Sequence, residues 1–327
     1  MRGSRGAPPL DRRSEILRFV VVGLAFALAA CASAPEAKAP VTSDSLRALR
    51  WIAPQSDAVK ALTAAPIACA PAAPKQPTAQ TLELTLGRIA FESPALLGGA
   101  AARTGLSCAS CHINGRGNAD FFIAGVSGAP GTADVTSSLF SKVRGNAAFD
   151  PVPIPDLATR SGGQISDRKS KQFEDKMRGL IVEEFDGQPP PAYVFEAVLA
   201  YLDSLDVAHC LDPSATVQAD YAGDYAAVIS ASTILRREEA SADVKLFYIR
   251  AARERLERLH ERFTGKGEAR AQLEALSALL AQAADRIRAG RSAPDLSGQL
   301  AQLGVALVRE EERSLYNPAA LRAALDP

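Results

Sequence analysis

Cys108-Ala109-Ser110-Cys111-His112 is the stretch on which the reading of this 327-residue chain turns. Cys-x-x-Cys-His is the attachment pattern of a c-type haem, and chemistry fixes its spacing. Two thiols must reach the two vinyl groups on one edge of the porphyrin, and the adjacent imidazole must swing under the iron as axial ligand. A thioredoxin-like redox pair is the first rival. It would sit at a strand-to-helix turn, and no strand-rich pattern precedes Cys108. A structural zinc site is the second, and it needs another ligand pair that the five Cys and three His do not supply. The motif therefore predicts one covalent haem c, held by Cys108 and Cys111, with His112 on the iron.

The N-terminus agrees with export, which that chemistry requires. Arg2, Arg5, Arg12, Arg13 and Arg18 form a basic region, and residues 19–30 are an apolar run. Such a run is shorter than the roughly 20 residues that span a bilayer, so residues 1–30 are expected to be a signal peptide. The run ends in Leu28-Ala29-Ala30-Cys31, which resembles the lipobox of bacterial lipoproteins. That resemblance implies that Cys31 becomes the acylated N-terminus, and Ala32 after it, in place of Asp, implies delivery to the outer membrane. The protein would then be lipid-anchored and face the periplasm without spanning the membrane. An ordinary cleaved signal, with Cys31 incidental, is the alternative. Arg12-Arg13 resembles a twin-arginine signal, but haem c is attached after translocation, which favours export of an unfolded chain.

With Cys31 assigned to lipid and Cys108 and Cys111 to haem, Cys69 and Cys210 remain. An even pair in an oxidising compartment points to a disulfide clasping the two ends of the haem region. Two unpaired buried thiols are the alternative. Removing residues 1–30 takes away five basic and two acidic residues, which leaves 32 against 35 and a net charge of −3. No basic stripe points to nucleic acid.

Composition divides the chain. Residues 31–76 are rich in Ala and Pro and read as a tether, although residues 43–62 carry the only tryptophan, Trp51, and are expected to form a short helix docked on the haem domain. That domain comprises residues 77–212. Helices are predicted over 78–91, 170–185 and 192–205, from the stripes Leu82-Leu86-Ile89, Phe173-Met177-Leu180 and Val194-Val198-Tyr201. Between them lies a Gly- and Pro-dense wrap that cannot sustain regular structure and whose missing core a haem would supply. Residues 213–327 are rich in Ala, Leu, Glu and Arg, with helices predicted over 217–238, 241–263, 268–289 and 295–315 and a further start at Asn317-Pro318. Short connections make this an up-down helical bundle. The predicted fold class is mainly α: a cytochrome c-like haem domain followed by that bundle.

The run Leu86-Gly87-Arg88-Ile89-Ala90-Phe91, the motif Cys108-Ala109-Ser110-Cys111-His112 and the terminal helix Val198-Leu199-Ala200-Tyr201-Leu202-Asp203-Ser204-Leu205 together resemble a cytochrome c domain. More narrowly, they resemble one haem module of the bacterial di-haem cytochrome c peroxidase and methylamine-utilisation family, over about 130 residues. That family needs two haems, one reacting with peroxide and one feeding it electrons. Here there is a single attachment motif and no His between His112 and His209.

The sixth iron position is open to Met177, the only methionine after the signal peptide, to no protein ligand, or to His209. Met177 is equally a core residue by pattern. Phe121 and Phe122 suit either a porphyrin face or ordinary core. Arg116 suits a haem propionate or a solvated loop, and His260 reads as the rim of a bundle helix. These residues leave two main functions: a membrane-tethered single-haem electron carrier with a protein redox partner, or a peroxidase-like oxidoreductase with open iron. A haem-based sensor or binding module is a third.

Overall fold

Thirteen residues after a threonine cap begin the regular structure around the motif. In the computed structural model, which describes residues 41–42, 45–71, 78–137, 139–159 and 166–326, the chain is mainly helical. Residues 1–30, expected to be a signal peptide, Cys31 and residues 72–77 lie outside the described residues. The elements, in order, are α1 (Ala58–Thr63), β1 (Ala64–Pro66), α2 (Ala79–Phe91), α3 (Pro94–Leu97), α4 (Gly99–Thr104) and α5 (Cys108–Cys111). Then come β2 (Thr132–Ala133), β3 (Val152–Pro153), α6 (Lys171–Gly179), α7 (Ala192–Ser204) and β4 (Thr216–Gln218). The chain closes with α8 (Tyr221–Thr233), α9 (Ala242–Arg262), α10 (Glu268–Arg288), α11 (Ser297–Glu310) and α12 (Pro318–Leu325).

Side-chain caps fix several of these starts. Thr78, Ser170, Ser241 and Asn317 each accept a backbone N–H from the first turn of α2, α6, α9 and α12, satisfying donors that a helix end leaves open. The predicted 170–185 helix changes character: after Gly179 the backbone widens into a π turn over Leu180–Glu184. The predicted 217–238 helix starts later. Thr216–Gln218 is instead strand β4, antiparallel to β1 with Ala65 opposite Val217.

Among the described residues the wrap between α5 and α6 is irregular, as its glycines and prolines require, apart from a short β2–β3 pairing and a 3-10 turn. Residues 45–71 are folded rather than extended. A 3-10 turn over Arg47–Trp51 and α1 stand where one short helix was expected. Trp51 packs on the cluster around Phe121, and Phe122 donates its N–H to the Trp51 carbonyl at 3.0 Å.

α2 and α7 cross at the centre of residues 77–212. Leu86, Ile89, Ala90 and Phe91 meet Val194, Val198, Tyr201 and Leu202, and all eight are buried. Each large apolar side chain so buried contributes about 1.5–3 kcal/mol. The same core continues without a break into α8–α11, whose consecutive helices pack side by side through short connections, as an up-down bundle requires. Cys69 and Cys210 are joined in a disulfide with Cα atoms 5.1 Å apart, 141 residues apart in sequence. Closing a loop that long removes up to about 5 kcal/mol of unfolded-chain entropy.

Gly87 sets the closeness of the α2–α7 crossing. A Cβ there would collide with the Ala197 carbonyl and stand 3.0 Å from the Tyr201 Cβ. Gly87→Ala should lower stability in chemical denaturation by about 3 kcal/mol, the upper range for overpacking. Gly223→Ala, in α8 with nothing within 4 Å of the new Cβ, should instead be neutral or stabilising by up to about 1 kcal/mol. Equal effects at the two positions would refute the crossing as a close-packed contact.

Candidate functional site

The motif is built as a single capped helical turn. Ser107 and Ser110 form a reciprocal cap at the start of α5, and the Ser107 N–H donates to Ser110 Oγ at 3.1 Å. At the other end Asn118 closes the turn: its N–H donates to the Cys111 carbonyl at 2.9 Å and its Nδ2 to the Ser110 carbonyl at 2.8 Å. One turn places Cys108 and Cys111, three residues apart, on the same side. His112 leaves helical geometry at φ −122° and ψ 68°. The left-handed pair Asn114 and Gly115 then reverses the chain. Gly115 is required there, since a Cβ would stand 2.5 Å from Leu205 Cδ1.

His112 Nδ1 lies 3.1 Å from the Pro155 carbonyl oxygen. A carbonyl only accepts, so Nδ1 carries the proton and Nε2 keeps a free lone pair. Burial pushes the imidazole down to about 4, outweighing the Pro155 hydrogen bond, so the ring is neutral near pH 7. A neutral ring oriented by a hydrogen bond from its other nitrogen to a backbone carbonyl is the arrangement of a metal-ligating histidine.

Cys108 and Cys111 are not paired with each other. Burial pushes both thiols up to about 12, the opposite of the lowered values that make a Cys-x-x-Cys pair redox-active. The motif also follows helix α4, not a strand. Both sulfurs pack on an apolar wall of Leu97, Leu106, Phe121, Val126 and Phe140, with Ile123 and Phe185 beside it. Thioethers do not ionise, so such a wall suits them where it penalises a thiolate. Two apolar sulfurs, one turn apart, beside an imidazole with one free nitrogen form a donor set that fits a covalently held haem. Among the described residues no group of three or more His, Cys, Asp or Glu could hold a bare metal ion.

The other candidates separate. Met177, on α6, is half-buried against the larger core. His209 is exposed at the end of a 3-10 turn, and His260 Nε2 lies 3.1 Å from Glu274 on the bundle surface. Phe121 is fully buried in the wall beside the motif. Arg116 is not a solvated loop residue. It is buried, its Nε donates to Asp156 at 2.5 Å, and its Nη1 donates to the Pro213 carbonyl and the Cys69 sulfur at 3.1 Å each.

Two side chains near the motif have no signature in the sequence. Glu184, at the end of the π turn, is 4% exposed and pairs with Arg144 Nη1 at 3.2 Å. Burial pushes its carboxyl up to about 7 against the pull of Arg144, and its charge raises the Cys108 thiol. Only the wrap, folding back across about 40 residues, brings Arg144 to it, so local pattern carries no trace of the pair. No protein-family model, curated protein or solved structure matches the chain.

Glu184 generates a pH dependence. Its folded value lies above the ordinary 4.5, so its protonated form contributes stability below about 4.5, and that contribution is lost as pH rises through about 7. Wild type should therefore lose on the order of 1–3 kcal/mol more than Glu184→Gln between pH 4.5 and 7.5. Urea denaturation of both proteins at the two pH values reads the difference, and parallel curves would exclude a buried titrating carboxyl.

Proposed function

We propose that the chain is a single-haem c-type cytochrome that passes electrons in the periplasm while anchored to the outer membrane through Cys31. The observation that carries this reading is the Nδ1–Pro155 hydrogen bond at 3.1 Å, which leaves the His112 lone pair directed away from the backbone, beside two unpaired sulfurs. Bound haem would supply a one-electron ferric–ferrous couple. Cys108 and Cys111 would hold it through thioethers, His112 would ligate the iron, and the Leu97–Phe140 wall would keep water from one side. The α2–α7 crossing and the motif order support the cytochrome c-like fold and the resemblance to one module of the di-haem peroxidase family.

The wrap beside that wall carries Leu139, Val143, Phe149 and Val152 with large apolar side chains exposed. Scattered exposure needs no explanation, but four within fourteen residues suit a protein redox partner that docks and leaves. Met177 is proposed as the sixth ligand, since a thioether favours the ferrous state. One observation favours the second reading, a peroxidase-like oxidoreductase: Glu184 is a buried carboxyl near neutral value beside the motif, as an acid–base group would be. A lone haem has no second site in the chain to hold the other oxidising equivalent, which keeps the carrier ahead.

Denaturing electrophoresis of the membrane fraction should show a haem-staining band that survives acid–acetone extraction, and Cys108→Ser should abolish the holoprotein. Loss of the stain on extraction would refute covalent attachment. The oxidised protein should show the weak red charge-transfer band of a methionine–iron bond, removed in Met177→Ala while haem stays attached. An unchanged spectrum would return Met177 to the core, where its truncation should still cost about 2–5 kcal/mol. A rapid spectral response to stoichiometric peroxide would move the peroxidase-like reading ahead of the carrier.

A further inference from the structure

Behind the motif turn lies a cleft of about 630 Å³, a volume typical of small-molecule sites. Ala109 and Ser110 form part of its wall, but among the described residues neither motif cysteine nor His112 lines it. It is therefore a different space from the haem site, on the other face of α5, between the 45–71 segment, α2, α8 and α9.

Its charges balance in number, five arginines against five carboxylates, but differ in how they are bonded. Each acidic side chain on the wall is already engaged. Glu92 and Asp224 accept from Arg255, the latter at 2.8 Å; Arg47 holds Glu261 and Ser93 holds Glu254. Asp220 caps the Gly223 amide at 3.3 Å. Four of the five guanidinium groups are likewise committed: Arg47 and Arg255 in those pairs, Arg88 to Glu92 and Asn114, and Arg262 to the Leu315 and Leu62 carbonyls.

Arg258 differs. It stands 3.6 Å from Asp224 and 4.0 Å from Glu92, and among the described residues it makes no hydrogen bond, although a guanidinium carries five donors. Since five guanidinium and five carboxylate groups line the cleft as a whole, Arg258 is set apart by donors with no hydrogen-bond partner among the described residues and not by a surplus of charge. The facing walls are apolar and small, with Ala61, Ala65, Ala227 and Ala251 among them.

We propose that this cleft binds a small organic carboxylate. Arg258 takes its carboxylate through a fork that matches two oxygens, and the alanine walls accept its hydrocarbon body. A cation finds no uncommitted acid here. Inorganic phosphate would satisfy Arg258 but would desolvate against the alanines without return.

The test uses the purified full-length holoprotein at low salt, titrated calorimetrically with benzoate, succinate and inorganic phosphate. At least one of the two carboxylates should bind saturably and more tightly than phosphate. Arg258→Gln should weaken it at least about tenfold. Gly223→Leu, which builds from open space on the cleft wall, should also weaken it. Arg253→Gln, exposed on the same helix and bonded to Ser277, should leave it unchanged. Unaltered binding in a folded Arg258→Gln protein, tighter binding of phosphate than of either carboxylate, or no saturation by about 10 mM carboxylate would each overturn the proposal.

Discussion

Arg255 is a nearly fully buried guanidinium, and much of the arrangement around the motif depends on that placement. Its side chain is 6% exposed and donates to Glu92, just past the end of α2, and to Asp224 on α8 at 2.8 Å. Burial alone would raise both carboxyls, but Arg255, Arg88 and Arg258 outweigh it for Glu92, and Arg258 with Arg255 does so for Asp224. Glu92 also sits at a helix C-terminus, where the macrodipole disfavours negative charge, so its ionised form depends on these arginines. Removing one partner from such a buried set typically costs about 3–5 kcal/mol. The three groups thus pin α2 to α8 and α9.

From α2 the constraint passes to the motif along two routes. One is packing: Gly87 lets α7 approach α2, and Phe91 then stands between Tyr201 and His112, its ring centroid 5.4 Å and 6.5 Å from theirs. The other is polar. The Cys69–Cys210 disulfide places the Cys69 sulfur against Arg116, Arg116 holds Asp156, and Asp156 follows the Pro155 whose carbonyl orients His112. This explains why Arg116 is buried: its charge fastens the wrap to the disulfide, and the imidazole is positioned at the end of that chain of contacts.

The helices were legible where local chemistry decides them. Thr78, Ser170, Ser241 and Asn317 cap helices whose apolar stripes run on from those positions, and the Cys69–Cys210 pair followed from cysteine arithmetic. The rest depends on partners far apart in sequence. Ala64-Ala65-Pro66 has no strand character, and it pairs with Thr216–Gln218 only because the disulfide region brings the two together. Arg255 and Glu92 are separated by 163 residues. A charged residue in a helical pattern reads as a solvated face until such a partner is known, which is why Arg255 and Glu184 carried no signal and why Arg116, in the wrap, reads as a propionate partner or a solvated loop residue. The folding of residues 45–71 was hinted at only by Trp51.

The site itself is kept nearly free of net charge. His112 is neutral, the thiols are uncharged, and Glu184 leans toward its protonated form because burial outweighs Arg144. With the proposed haem bound, a low-dielectric setting of this kind would favour the iron state with less net charge, which for thioether and imidazole attachment is the ferrous state. Burial and a methionine ligand would then act in the same direction, toward a higher potential. On the proposed carrier reading, that bias would help the chain accept electrons from one partner and hand them to another. Reaction with peroxide would require stabilising higher oxidation states, which a charge-poor wall disfavours. Glu184 is the exception to that wall, since its ionisation as pH rises through about 7 would return a negative charge beside Cys108 and ease oxidation of the iron.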